Sequence, residues 1–233
     1  MTQISCRAVI SVPANNTTME PELNALLPEF APFAVARVML PSSTLTLEDL
    51  PAYTRNTLDS LAPFLSQRLK LVVHGCTAAG FLAGPAASAR IIEAMRAESG
   101  AVVVGTGAAM ADILKHEGVR ETAVVTPYLE AVNDGLRAYL ASAGIAIEVL
   151  HSFECRTTEE LGRINEAQVM DLALRTVTPR SQALFIACSQ LPTRGILEPL
   201  RRKLGIPVWS SISATGWAAA RAMAGNPVRD AAQ

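Results

Sequence analysis

Leu69-Lys70-Leu71-Val72-Val73-His74-Gly75-Cys76-Thr77-Ala78-Ala79-Gly80 is a short apolar run that ends in a glycine, a cysteine and a string of small residues. The same design returns at Ala183-Leu184-Phe185-Ile186-Ala187-Cys188-Ser189-Gln190-Leu191-Pro192. An unbroken apolar run of this length, bounded by turn residues, reads as a strand buried on both faces, which is how parallel sheets are built. Working outward, further runs fall at 8–12, 35–40, 101–104, 122–125, 145–149 and 207–209, and segments with apolar residues at three- and four-residue steps fall at 47–65, 86–98, 129–141 and 159–175. This alternation is the pattern of βαβ units.

The eight strands sort into two groups of four with matching contents. In each group the first strand leads into a Pro-containing turn (Pro13-Ala14-Asn15-Asn16, then Thr126-Pro127-Tyr128) and the third ends in a cysteine (Cys76, then Cys188). The expected fold is α/β: two similar lobes, each a four-stranded mainly parallel sheet flanked by helices. Residues 1–105 form the first lobe and 106–212 the second, with a final helix in 213–233 packing back on the first. Ligands of open α/β sheets bind outside the carboxyl ends of strands. Facing lobes would therefore gather all four turns around one cleft.

Composition narrows the function. The chain has 233 residues, 50% of them hydrophobic, and a net charge of -1, which offers no electrostatic footprint for nucleic acid or an anionic membrane. The basic run Arg201-Arg202-Lys203 reads as the solvated face of a helix. No stretch approaches the roughly 20 apolar residues of a membrane-spanning helix. Met1 to Arg7 lacks the charged-then-apolar build of an export signal, so the four cysteines are expected as free thiols in a cytoplasm. Cys6, Cys76, Cys155 and Cys188 include no Cys-x-x-Cys pair, which disfavours a structural zinc site. Cys6 and Cys155 lack equivalents in the other half and read as bystanders.

Cys76 and Cys188 stand out because each precedes a segment in which a helix start would lower the thiol pKa. Several other stretches join them. Asn15-Asn16-Thr17-Thr18-Met19-Glu20-Pro21-Glu22, His74-Gly75-Cys76-Thr77, Val125-Thr126-Pro127-Tyr128, Ala187-Cys188-Ser189-Gln190-Leu191-Pro192, Pro207-Val208-Trp209-Ser210-Ser211 and Trp217 resemble, in order, the motifs of the maleate cis-trans isomerases. The chain is on that ground similar to the aspartate/glutamate racemase superfamily, and within it most nearly to those isomerases. The superfamily also holds amino-acid and hydantoin racemases and arylmalonate decarboxylases.

The resemblance implies a small dicarboxylate or carboxylate substrate, neither metal nor organic cofactor, and a homo-oligomer. It implies Cys76 as the nucleophile that adds to an alkene carbon and Cys188 as its partner from the opposite side. Asn16 and Tyr128 match positions that bind substrate carboxylate, and Thr77 and Ser189 offer further donors to the charge that develops there. Read from the residues alone, Asn16 also suits a helix cap, Thr17-x-x-Glu20 a capping box and Tyr128 a packed ring.

There are departures. The isomerases usually carry Cys-Thr-Ser-Gly-Ser, where this chain has Cys76-Thr77-Ala78-Ala79-Gly80, and their second-lobe asparagine has as candidates here only Thr157, Thr158 or Asn165 around Gly162-Arg163-Ile164. A less polar or substituted acid would suit such a pocket. Gly105-Thr106-Gly107 superficially resembles a dinucleotide-binding turn but is not in the first βα unit and has no acidic strand end beyond it. His74 reads as structural, with a role in tuning Cys76 as the alternative. Of the three lysines, Lys70, Lys115 and Lys203, none sits at a glycine-rich turn, which argues against Schiff-base chemistry. An amino-acid or hydantoin racemase using both cysteines as acid and base, an arylmalonate-type decarboxylase, against which stands the presence of the first cysteine that those enzymes lack, and a carboxylate receptor complete the expectations.

Overall fold

A computed structural model describes residues 7–41 and 45–225. Cys6 and the last residues of the 213–233 segment lie outside them. The first sheet holds β1 (Ala8–Pro13), β2 (Ala34–Val38), β3 (Leu71–His74) and β4 (Val102–Gly105) in the order β2-β1-β3-β4. The second holds β5 (Glu121–Thr126), β6 (Ala146–Ser152), β7 (Leu184–Ile186) and β8 (Val208–Ser210) in the order β6-β5-β7-β8, which repeats the first. Every pairing is parallel. The central strands β1, β3, β5 and β7 are buried on both faces, apart from the end residues Pro13 and Glu121, which is why their sequences run apolar without alternation.

The helices are α1 (Met19–Leu26), α2 (Leu50–Asp59), α3 (Thr77–Ser99), α4 (Thr106–His116), α5 (Glu130–Ser142), α6 (Thr158–Gly162), α7 (Glu166–Thr176), α8 (Leu197–Leu204) and α9 (Ser211–Met223). Their bounds correct several expectations. The helical pattern at 47–65 is shorter as α2, followed by a 3-10 turn at Ala62–Phe64. The pattern at 86–98 begins a good two turns earlier, directly after Cys76, and breaks at Gly84 (φ 73°, ψ 168°) before Pro85. Pro85 lacks the N–H that a continuous helix would need there, and Gly84 supplies the left-handed residue that resets the axis. The single pattern at 159–175 is two helices, because Asn165 starts α7 as a capping box with Gln168.

Helix α4 starts on the glycine turn. A Cβ on Gly107 would lie 3.6 Å from the Gly80 Cα, so these two glycines let α4 and α3 run backbone to backbone. Helix packing, not a pyrophosphate, accounts for this turn. Gly75 is fixed still more tightly, since a Cβ there would come within 2.6 Å of both the Met19 sulfur and a Val12 methyl.

One core joins the halves. Ile10, Val73 and Val104 of the first sheet, Val124 and Phe185 of the second, and Met110, Ile212 and Ala218 of α4 and α9 all belong to a single buried cluster. Helix α9 packs on α4, α1 and β4. Among the described residues, no helix is long and apolar enough to cross a membrane.

Candidate active site

The carboxyl ends of β1, β3, β5 and β7 open on one cavity of about 490 Å³. Asn15 and Asn16 enter it after β1, Cys76 and Thr77 after β3, Pro127 and Tyr128 after β5, and Cys188, Ser189 and Gln190 after β7. All six residues singled out from the sequence, Cys76, Cys188, Asn16, Thr77, Tyr128 and Ser189, therefore line the same space.

The floor is a set of hydrogen bonds between the lobes. Asn16 Nδ2 donates to Ser189 Oγ at 3.0 Å, and Ser189 Oγ donates to the Gly75 carbonyl at 2.7 Å. Ser189 thus spends its only hydroxyl proton on the chain, and a ligand has the second Asn16 amide hydrogen to accept from, not the Ser189 hydroxyl. Gln190 Oε1 accepts from the Thr17 N–H at 2.9 Å while its Nε2 donates to Thr17 Oγ1 at 3.2 Å. Further out, buried Glu22 of α1 accepts from the Thr193 N–H and hydroxyl and from the Arg194 N–H.

The start of α1 differs from the expected capping box. Asn16 Oδ1 accepts from the N–H groups of Thr18 and Met19 at 3.1 and 3.0 Å, and Glu20 turns to Arg37 instead. Asn16 is thus both cap and cavity donor, with its oxygen committed to the helix and its nitrogen to the site. Tyr128 is held through its backbone: its carbonyl accepts from Asn133 Nδ2 at 3.0 Å and Ser152 Oγ at 2.5 Å. Its hydroxyl lies near Cys188 and Thr77. Thr77 Oγ1 is buried without a hydrogen-bond partner.

Both thiols are buried, Cys76 at 5% and Cys188 at 6% exposure. Burial pushes the Cys76 thiol up to about 11, outweighing donation from Tyr53 and from the backbone of Ala79 and Ala78; the nearby Cys188 raises it further. Burial likewise raises Cys188 against donation from Tyr128 and from the backbone of Gln190 and Leu191. This reverses the expected lowering. Only Cys76 stands at a helix start, that of α3, whereas Cys188 is followed by turns and α8 begins at Leu197, which corrects the expected second helix. A helix start offers a fractional charge, whereas removal from water penalises the whole charge of a thiolate, and here the second effect wins. Alkylation of Cys76 by iodoacetamide is accordingly expected to climb about tenfold per pH unit from roughly pH 7 to 10. Mass spectrometry of the labelled peptide measures it, and a plateau near neutral pH would contradict this account.

His74 is not among the groups that shift the Cys76 thiol. It is buried on β3, its pKa is lowered to about 4 by desolvation, and its Nε2 is unpartnered. Asn165 spends its side chain capping α7, so it does not replace the isomerases' second-lobe asparagine; Thr157 and Thr158 line the cavity instead. Cys155 is a correction: it too lines the cavity, close enough to Cys188 for their charges to interact. The sequence also gave no sign of Tyr53 beside Cys76, or of the apolar walls. Leu40, Leu45, Leu47, Leu82, Leu129, Val132 and Leu161 enclose much of the space, and among the described residues lining it Glu48 is the only charged one. No group of three or more His, Cys, Asp or Glu side chains able to hold a metal occurs among the described residues.

Two lobes of the same parallel topology that close on paired cysteines define a class, and comparison with known proteins agrees. Residues 9–233 match the arylmalonate decarboxylase (Amdase) family model. The arylmalonate decarboxylase of Bordetella bronchiseptica is 29% identical over 216 residues, 92% of this chain and 86% of that protein. The maleate isomerase of Nocardia farcinica is 27% identical over 225 residues, 93% of this chain and 90% of that protein. The solved structure of the Nocardia farcinica maleate cis-trans isomerase bound to Tris superposes with a TM-score of 0.85 at 26% identity, covering 97% and 95% of the two chains. The chain belongs to the Amdase family of the aspartate/glutamate racemase superfamily, and it is an enzyme of that family.

Proposed function

We propose that this enzyme isomerises a cis-dicarboxylate, maleate or a close relative, to its trans form without a cofactor, through a covalent adduct at Cys76. The reading rests on one observation: two buried thiols, one from each lobe, line a single cavity beside neutral donors. The Cys76 thiol loses its proton to solvent water, the thiolate sulfur bonds to one alkene carbon, and the proton returns to the sulfur after the trans acid has left. The π pair moves to the other carbon and spreads onto the neighbouring carboxylate. Asn16 Nδ2, the Thr77 hydroxyl and the Tyr128 hydroxyl are the donors assigned to those oxygens, where negative charge grows in the transition state. The former double bond rotates, the electron pair returns, the C–S bond breaks and the trans alkene leaves. Cys188 faces the reacting carbons from the second lobe as a hydrogen-bond donor. We further assign 1–105 and 106–212 as the two lobes that close on the substrate, and the maleate isomerases and arylmalonate decarboxylases among its relatives support a diacid ligand.

The apolar walls favour a second reading: racemisation at the α-carbon of an acid with an apolar substituent, with the two thiols as acid and base on opposite faces. Incubation with maleate and with 2-phenylmaleate in deuterated buffer, followed by proton NMR, separates the two. Formation of the trans acid without deuterium uptake is the expected result. Deuterium exchange at the α-carbon of a 2-arylpropionate, with neither maleate turned over, would replace it by the racemase.

A further inference from the structure

Tyr53 of α2 is 1% exposed, and its hydroxyl is sealed from solvent with no regular hydrogen-bond partner. A buried hydroxyl left unpaired is destabilising, and a phenylalanine would fill the space without that cost. The ring sits in a small cluster with Val38, Leu45, Cys76, Ala79 and Leu82, where the other side chains offer no oxygen or nitrogen. The polar atoms within its reach are the Cys76 sulfur and the Thr57 hydroxyl, and the latter spends its own proton on the Tyr53 carbonyl at 2.8 Å, which leaves the sulfur as the acceptor that changes with the state of the site.

We propose that Tyr53 is a positioning residue for Cys76, its O–H directed at the sulfur from behind the cavity wall so that a hydrogen bond forms when the thiol ionises. A thiol is a weak acceptor and a thiolate a strong one, which explains why the contact is irregular in the resting site. With the Ala78 and Ala79 N–H groups, the phenol completes a set of three donors around the sulfur. Burial, together with the neighbouring Cys76, holds the Tyr53 hydroxyl well above its ordinary pKa, so it stays protonated and able to donate. Tyr128 stands beside Cys188 in a similar relation, but it lines the cavity and is open to substrate, whereas Tyr53 is not among the lining residues. One tyrosine serves the sulfur alone; the other is shared with the ligand.

The inference rests on Cys76 being the nucleophile for its relevance to turnover, yet it is testable without any substrate. Tyr53→Phe removes one oxygen and keeps the ring. Iodoacetamide alkylation of Cys76 and Cys188 is followed by peptide mass spectrometry across pH in the full-length protein, alongside thermal melting. A hydrogen bond to a charged group is worth about 1.5–3 kcal/mol, so alkylation of Cys76 at fixed pH is expected to slow by about tenfold to a hundredfold in Tyr53→Phe, with Cys188 unchanged. Tyr53→Met, a second oxygen-free replacement, is expected to do the same. An unchanged Cys76 rate in a folded variant, or equal slowing at both cysteines, would overturn the proposal. Failure to convert any dicarboxylate would leave this result intact and sink only the isomerase reading.

Discussion

Cys76→Ser is expected to lower turnover by at least about a thousandfold while leaving the fold and ligand affinity close to unchanged. The loss follows from acidity. The pocket already lifts a thiol to about 11 by burial, and a serine hydroxyl starts several units higher, so the oxygen would hardly ever be ionised when substrate is in place. Sulfur and oxygen differ little in size, and the serine hydroxyl finds the same backbone donors, so melting should shift by no more than a few degrees. Initial rates by proton NMR together with a ligand-induced melting shift measure both halves of the prediction. Near-normal rates in the serine variant would remove Cys76 from the mechanism.

Cys188→Ser is the second large effect, and it differs in kind. In the isomerase reading Cys188 assists the charge without bonding to carbon, so its loss should slow turnover by about a hundredfold, the usual scale for a preorganised donor. It should also leave the adduct's carbanion more basic, so that it takes a proton from solvent and becomes a saturated thioether that expels Cys76 slowly; intact mass spectrometry after mixing with substrate should then find a substrate-plus-proton increment on Cys76. If racemisation is the reaction, no adduct forms, and the two serine variants fail equally because each face needs its own acid or base. The pair of variants thus distinguishes the reactions even where their rates look alike.

Much of this arrangement was written in the chain. Parallel strands buried on both faces produce uninterrupted apolar runs, and the duplicated order of turn and cysteine set Cys76 and Cys188 at equivalent strand ends, as the matching sheets confirm. What stayed hidden depends on contacts between distant segments. Tyr53 looks like any tyrosine on an amphipathic helix until β2 and the start of α3 are laid beside it. Cys155 looks isolated until the end of β6 turns toward the cleft. The sign of the thiol shift could not be read locally, since a helix start advertises itself in sequence while burial is a property of the assembled cavity. Helix α4 was masked because Gly105-Thr106-Gly107 carries low helix propensity and takes its place through the close approach to Gly80.

The return of α9 to the first half governs how the protein can be made. Val104 of β4 and Met110 of α4 share one buried cluster with Ile212 and Ala218 of α9, so the first sheet and α4 keep an apolar face bare until α9 has left the ribosome. Neither half is expected to mature ahead of the other, and nascent chains stopped before α9 should be chaperone clients prone to aggregation.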